Sequence, residues 1–239
     1  MEFTIDIEVV RKVIDDERTR AASEIAERGP IIALAQSQSR HDARLSSAAD
    51  VSSLACRQGC SWCCHFTIDV RAVEVLRVLD HLRTLPEAEQ RRLQERIERN
   101  AMQLAGLDEE ERARINIECA FLRGGECSIY SVRPQTCRNY HATDAAGCQQ
   151  AFEQPDNEDI DPDFAPLFYQ VGHSHVEAFA QALQDARFDN SVYEFNAALL
   201  AAMNEPAARS RFLNKVQPFT DLTGSEVPPE FLDEEEDEK

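Results

Sequence analysis

The sequence predicts a mainly α-helical fold with one small β-hairpin, organised around a cysteine metal cluster. Three observations carry that expectation. Apolar residues recur at helical spacing, as in Val73, Leu76 and Leu79 and again in Leu93, Ile97, Ala101 and Leu104. One stretch, Cys119 to Tyr130, has two short apolar runs around Arg-Gly-Gly, the mark of a hairpin. Four of the eight cysteines fall within nine residues, Cys56-Arg-Gln-Gly-Cys60-Ser-Trp-Cys63-Cys64, and Cys119, Cys127, Cys137 and Cys148 follow. Strands alternating with long helices, the pattern of a parallel sheet, are not seen, nor is an internal repeat.

Taken in order, residues 1–48 are polar and helical. Ile5, Ile7, Val9, Val10, Val13 and Ile14 make the apolar face, and Gly29-Pro30 divides this run from a second helix over Ile31 to about Leu45. A serine-rich linker leads into the cysteines. Cys56, Cys60 and Cys63 or Cys64 have the spacing of one helical face, so 56–64 is expected to form a helical turn or two. Asp69 is the expected N-cap of a helix over about 70–84. Pro86 sits in the first turn of the next helix, and Asp108 with Glu111 forms a capping box for a short one reaching about Asn116. After the hairpin, short helices hold Cys137 and Cys148, the latter capped by Asp144. An acidic loop spans 154–163 and a helix runs from Phe164 to Phe188. Asn190 and Asn204-Glu-Pro206 are the expected starts of two final helices. The chain divides into an N-terminal helical segment (1–53), a cysteine-cluster domain (54–150), a C-terminal helical segment packing on it (151–227) and an acidic disordered tail (228–239).

Lys and Arg total 25 against 44 Asp and Glu, a net charge of −19. Such a field repels phosphate backbones and anionic lipid, so nucleic acid and membrane surfaces are not the expected partners. No apolar run approaches the roughly 18 residues of a membrane span, and the first twenty residues have no signal-peptide core. The expected compartment is the cytosol, where thiols stay reduced. Eight cysteines there point to metal ligands or redox groups before disulfides.

Thiolates are soft, anionic ligands for zinc and iron. A closed zinc site takes four, and a four-iron cluster takes a similar number. Cys56, Cys60, Cys63, Cys64, Cys119, Cys127, Cys137 and Cys148 therefore suffice for one site with thiols to spare, or for two. Cys63 and Cys64 point in different directions, so if both bind, the site is polynuclear or they serve different metals. His65 and His141 lie close enough in sequence to be further donors. His173 and His175 sit on a distant helix, where a surface or capping role is expected. Arg57, Arg123, Arg133 and Arg138 lie beside cysteines in an otherwise acidic chain. They are candidates to offset the charge of about −2 on a tetrathiolate zinc site. Trp62 is placed to shield the cluster from water.

The segments CRQGCSWCCHFTIDVRAVEVLRVL and CAFLRGGECSIYSVRPQTCRNY resemble the YkgJ-type cysteine-cluster proteins, a zinc- or iron-chelating domain family. The match rests on Cys60, Cys63 and Cys64; on Cys119, Phe121 and Leu122; on Gly125, Cys127, Ile129 and Tyr130; and on Arg133, Pro134, Cys137 and Arg138. Cys56 fits the family's extra leading cysteine. The resemblance covers about residues 54–150. It implies metal chelation by zinc or an iron–sulfur centre. One branch of the family is similar to flagellin lysine N-methylases, which use S-adenosylmethionine, although this chain is much shorter and has no glycine-rich cofactor loop.

The expectation is thus a cytosolic metal-binding protein holding an iron–sulfur cluster or zinc. One alternative is a metal- or S-adenosylmethionine-dependent transferase related to protein lysine N-methylases. The other is a structural zinc domain whose outer helices bind a protein partner. Two further readings are weaker. Cys56-x3-Cys60-x2-Cys63 has the radical S-adenosylmethionine spacing, but no series of βα units follows it. Cys60-Ser-Trp-Cys63 is a C-x-x-C pair, but it lacks a βαβ setting and has six other thiols as competitors.

Overall fold

The computed structural model describes residues 4–157 and 159–231. The fold is mainly α, with two small two-stranded antiparallel sheets among the described residues. Helix α1 (Ile7–Arg28) starts at Asp6, whose carboxylate accepts the Val9 N–H at 3.2 Å. It stops at Gly29, whose φ of +83° suits a residue without Cβ. Pro30 then opens α2 (Pro30–Ser46) at a position where its missing N–H costs nothing. A third long helix, α8 (Pro166–Asp185), packs on both. Its N-terminus is capped from afar: Asp50 accepts the N–H groups of Leu167 at 2.8 Å and Phe168 at 3.1 Å. The serine-rich linker therefore supplies a remote cap as well as a connection.

The centre of the core is α3 (Ala72–Leu82), where Val73, Val75, Leu76, Val78, Leu79 and Leu82 are all buried. It packs on α2, on α9 (Phe195–Asn204) and on α10 (Ala208–Leu213). The stripe Leu93, Ile97, Ala101 and Leu104 of α4 (Glu87–Leu104) is buried as its spacing predicts, and α4 packs on α9. The short α5 (Glu109–Ala113) has the expected Asp108–Glu111 capping box but ends before Asn116. The hairpin is also where expected, as β2 (Leu122–Arg123) and β3 (Glu126–Cys127). Gly124 and Gly125 between them have φ of +58° and +84°, the left-handed values a two-residue hairpin turn requires. Helices α6 (Gln135–Asn139) and α7 (Ala145–Glu153) carry Cys137 and Cys148, and Asp144 caps α7.

Several local expectations are corrected. The stretch 56–61 is not helical, since Gly59 turns the chain at φ +86° and only Trp62–His65 forms a single 3-10 turn. Asp69 caps no helix. It opens strand β1 (Asp69–Arg71), which pairs antiparallel with β4 (Val192–Glu194), Val70 opposite Tyr193. The cap role falls to Glu74, which accepts the Arg71 N–H at 2.9 Å. Helix α9 starts at Phe195, capped by Glu194, rather than near Asn190. Asn204 ends α9, and α10 begins four residues later. Three-residue strands that pair across more than a hundred residues leave no periodicity to read. Of the acidic tail expected from 228, residues 232–239 lie outside the described residues. Just before them, Phe231 is buried, and its N–H donates to Glu177 at 3.0 Å. Among the described residues no helix is long and apolar enough to cross a membrane.

Candidate metal centre

Hydrogen bonds fasten the segments that carry Cys56, Cys64, Cys119 and Cys137 to one another and to the helices around them. The Cys119 N–H donates to the Cys64 carbonyl at 2.8 Å, and the Ile117 N–H to that of His65 at 2.8 Å. The hairpin segment is thereby fastened to the first cysteine run. From α4, Arg96 donates to the carbonyls of Cys119 (2.9 Å) and Leu122 (3.1 Å), and Asn100 to that of Glu118 (2.9 Å). Buried Glu74 of α3 uses its second oxygen to accept the Gln135 N–H at 2.7 Å, which caps α6 and so positions Cys137. On the other side, the Ala55 N–H donates to the Ala142 carbonyl at 2.8 Å, and the Ala142 N–H donates to Cys56 Sγ at 3.5 Å. Helix α7, bearing Cys148, packs on the Trp62–His65 turn, with Phe152 against the rings of Trp62 (5.3 Å) and His65 (4.8 Å).

All eight cysteines are free thiols. As they stand, no three side chains of Cys, His, Asp or Glu among the described residues are gathered tightly enough to hold a metal ion. The thiols are nonetheless electrostatic neighbours, and their neighbourhoods differ. Burial first, then the charges of Cys119, Cys127 and Cys64, push Cys137 well above the usual thiol range. Burial likewise pushes Cys119 up to about 12, with Cys127 and Cys64 adding to it. Cys127 is raised by burial and then by Cys64. Cys148, pushed up to about 11 by burial, feels Cys56 and Cys60 instead, and Cys56 in turn feels Cys60. Cys63 and Cys64 share a hydrogen bond that raises Cys63 and lowers Cys64; Cys63 also feels Cys137 and Cys56.

Arg133 reaches four of this set, while Arg96 acts on Cys119 and Arg138 on Cys127. The Arg133 guanidinium lowers Cys56, Cys64, Cys127 and Cys137, while its Nε is buried without a hydrogen-bond partner. It lies over the Tyr130 ring at 3.9 Å. Arg138, the other arginine of the RPxxCR run, is turned aside. It donates to the carbonyls of Arg133 and Ser131 and pairs with Asp42 of α2. Arg123 pairs at the surface with Glu89. The donor chemistry fits a thiophilic metal. Buried thiols resist ionisation on their own, and a cation of charge two or more reverses that cost.

Of the histidines, His175 departs from expectation. His65 rests on Phe152, with Nδ1 at 3.2 Å from the Ser61 carbonyl. His141 Nδ1 is buried without a partner, and burial lowers the ring to about 4. His175, expected at the surface or in a cap, is fully buried between α1, α2 and α8. Arg44 donates to its Nδ1, so its Nε2 carries the proton and donates to Ser37 Oγ at 3.0 Å. Beside it the fully buried Glu17 accepts from Arg40 at 2.8 Å and from Arg44 at 3.1 Å. His41, also fully buried, reaches Asn139 of α6 at 2.6 Å. This network was missed, although Glu17, Ser37, His41 and His175 each occupy an inward position of an otherwise apolar helical stripe.

A groove of about 1060 Å³ has Asp69, Tyr140, Phe164, Tyr169 and Glu177 in its walls. Tyr140 also borders the thiols: burial, then Cys148, Cys63 and Cys56, raise its phenol.

Residues 55–160 match the family model described as "CxxCxxCC: Putative zinc- or iron-chelating domain". No curated protein and no solved structure matches the chain. The matched segment contains all eight cysteines and Arg133, the residues whose geometry is described above. The similarity to the CxxCxxCC zinc- or iron-chelating domain family is thus carried by residues 55–160, under half of the chain.

Proposed function

We propose that the chain is a metal–thiolate protein of a reducing compartment, holding zinc or an iron–sulfur cluster through the cysteines of residues 54–150. The observation that carries this reading is that free thiols from three separate segments, Cys56 and Cys64, Cys127 of the hairpin and Cys137 of α6, are all electrostatic neighbours of the Arg133 guanidinium. A metal supplies the positive charge that lets neighbouring buried thiols stay ionised together. The chain supplies the soft donors, the Arg133 cation that offsets their excess charge, and a rigid helical frame that fixes each donor segment. Phe152 of α7 packs on Trp62, beside Cys63.

The test replaces single donors. Cys60→Ser and Cys127→Ser are expected to lose bound metal and to lower stability by several kcal/mol, about the order of a weakened structural site. Metal analysis and thermal melting read both effects. A variant that kept full metal content and an unchanged melting temperature would remove that cysteine from the ligand set.

A further inference from the structure

The groove is lined by residues of β1, α6, α8, β4 and the chain after α10, and its walls hold six carboxylates but one guanidinium, that of Arg71. Arg71 is half-buried and donates through Nε to Asn190 Oδ1 at 2.8 Å. Among the described residues its two Nη groups have neither a hydrogen bond nor an ion pair. Burial pulls its pKa down, with Glu74 and Glu177 opposing. The acids around it are committed elsewhere. Glu74 accepts the N–H groups of Arg71 and Gln135, and Glu177 those of Glu230 and Phe231. Asp69 accepts from Arg112 at 3.3 Å, and Glu230 from the Tyr169 hydroxyl at 3.0 Å. Two amides add further donors. Asn190 has its oxygen on Arg71, and Asn139 has its oxygen 2.6 Å from His41 Nε2. Both NH2 groups are left without a hydrogen-bond partner among the described residues. None of these nitrogens is a fully buried atom, so they open on the groove that all three residues line.

Half-buried donors without acceptors call for an acceptor-rich ligand. A guanidinium with both Nη groups open matches one carboxylate, which it grips through two parallel hydrogen bonds. The rim decides what the rest of that ligand carries. Glu109, Asp161 and Glu226 are exposed in the groove's walls, and their field turns away a phosphate or a dicarboxylate while drawing in an ammonium group. At about 1060 Å³ the groove matches pockets that take drug-sized ligands and has room beyond a free amino acid. We infer that the groove binds the C-terminal end of a short peptide, with the α-carboxylate on Arg71 and Asn190, Asn139 as a further donor, and the amino end toward the acidic rim. Phe164 and Tyr169, whose rings meet at 4.9 Å, offer an apolar wall to the side chains between. None of the groove's described lining residues is a cysteine, so the site holds with or without metal.

The experiment is equilibrium dialysis of the whole chain against a mixed tripeptide library, read by mass spectrometry. Tripeptides with a free C-terminus are expected to be retained. The same library with C-terminal amides is expected to bind about 10- to 100-fold more weakly, the loss of one charge-assisted pair. Asn190→Asp places a carboxylate of the chain itself against Arg71. This variant is expected to keep the wild-type melting temperature and to lose retention of the free-acid peptides by a similar factor. Arg71→Gln is expected to lose it too. The inference is overturned if the free-acid library is not retained, if the amides bind equally well, or if Asn190→Asp binds the acids as wild type does. The comparison of acid with amide uses wild type alone, so it decides the matter even where a variant fails to fold.

Discussion

At the scale of single residues, Arg133 and Glu17 illustrate two ways of holding charge in this protein. Arg133 stands among thiols with its Nε unpaired, so its charge is available to a metal–thiolate group. Arg133→Met keeps much of the packing on Tyr130 but removes the cation. It is expected to weaken metal retention by about 10- to 100-fold, the range seen for groups that support metal ligands, as read by competition with a chelator. Retention equal to wild type would show that the cation is idle. Glu17 is fully buried and answers Arg40 and Arg44. Glu17→Ala leaves two guanidinium groups without their shared carboxylate and is expected to cost about 3–5 kcal/mol in urea unfolding. His175 gives a pH signature. Burial holds its folded pKa well below the usual imidazole range, so the unfolded chain takes up a proton first. Its stabilising contribution is complete above the unfolded value of about 6.5 and is lost as pH falls below it, at up to about 1.4 kcal/mol per pH unit. A His175→Gln variant should show a shallower fall between pH 6.5 and 5 than wild type; identical slopes would exclude His175 as the cause.

At the scale of elements, what could be read from the sequence depended on length and on where caps come from. The buried faces of α3 and α4 and the Gly-Gly hairpin were legible, because a stripe of about three turns and a φ-positive turn leave local marks. The β1–β4 pair was not, since three residues are too few for alternation. The caps from Asp50 to α8 and from Glu74 to α6 were also hidden, because donor and acceptor are far apart in sequence. The 56–64 turn was misread because cysteine spacing imitates a helical face, whereas Gly59 breaks the chain there. All eight cysteines were legible as candidates, but the backbone ties between their segments, such as that from the Cys119 N–H to the Cys64 carbonyl, leave no mark in the spacing. The hairpin turn offers a test of how tightly Cys119 and Cys127 are held. Gly125→Ala forces a Cβ into φ +84° and is expected to cost about 1–2 kcal/mol, and to quicken metal loss to a chelator. An unchanged unfolding midpoint would show that the turn adapts without strain.

At the scale of the whole molecule, the cysteine segment is held in a frame of helices from both ends of the chain. The main core runs from Ala21 of α1 through α3 and α4 to Phe219. The buried Glu17–His175–His41 network meets the cysteine segment at Asn139, two residues after Cys137. Such a frame keeps donor segments near one another before metal arrives, and the metal then adds its binding energy to folding. The most direct measurement is the metal and acid-labile sulfide content of the wild-type chain purified without oxygen. Zinc, or iron with sulfide, at one or more equivalents per chain and removable only with exposure of the cysteines is the expected result. A folded chain without bound metal, with all eight thiols open to alkylation, would contradict it.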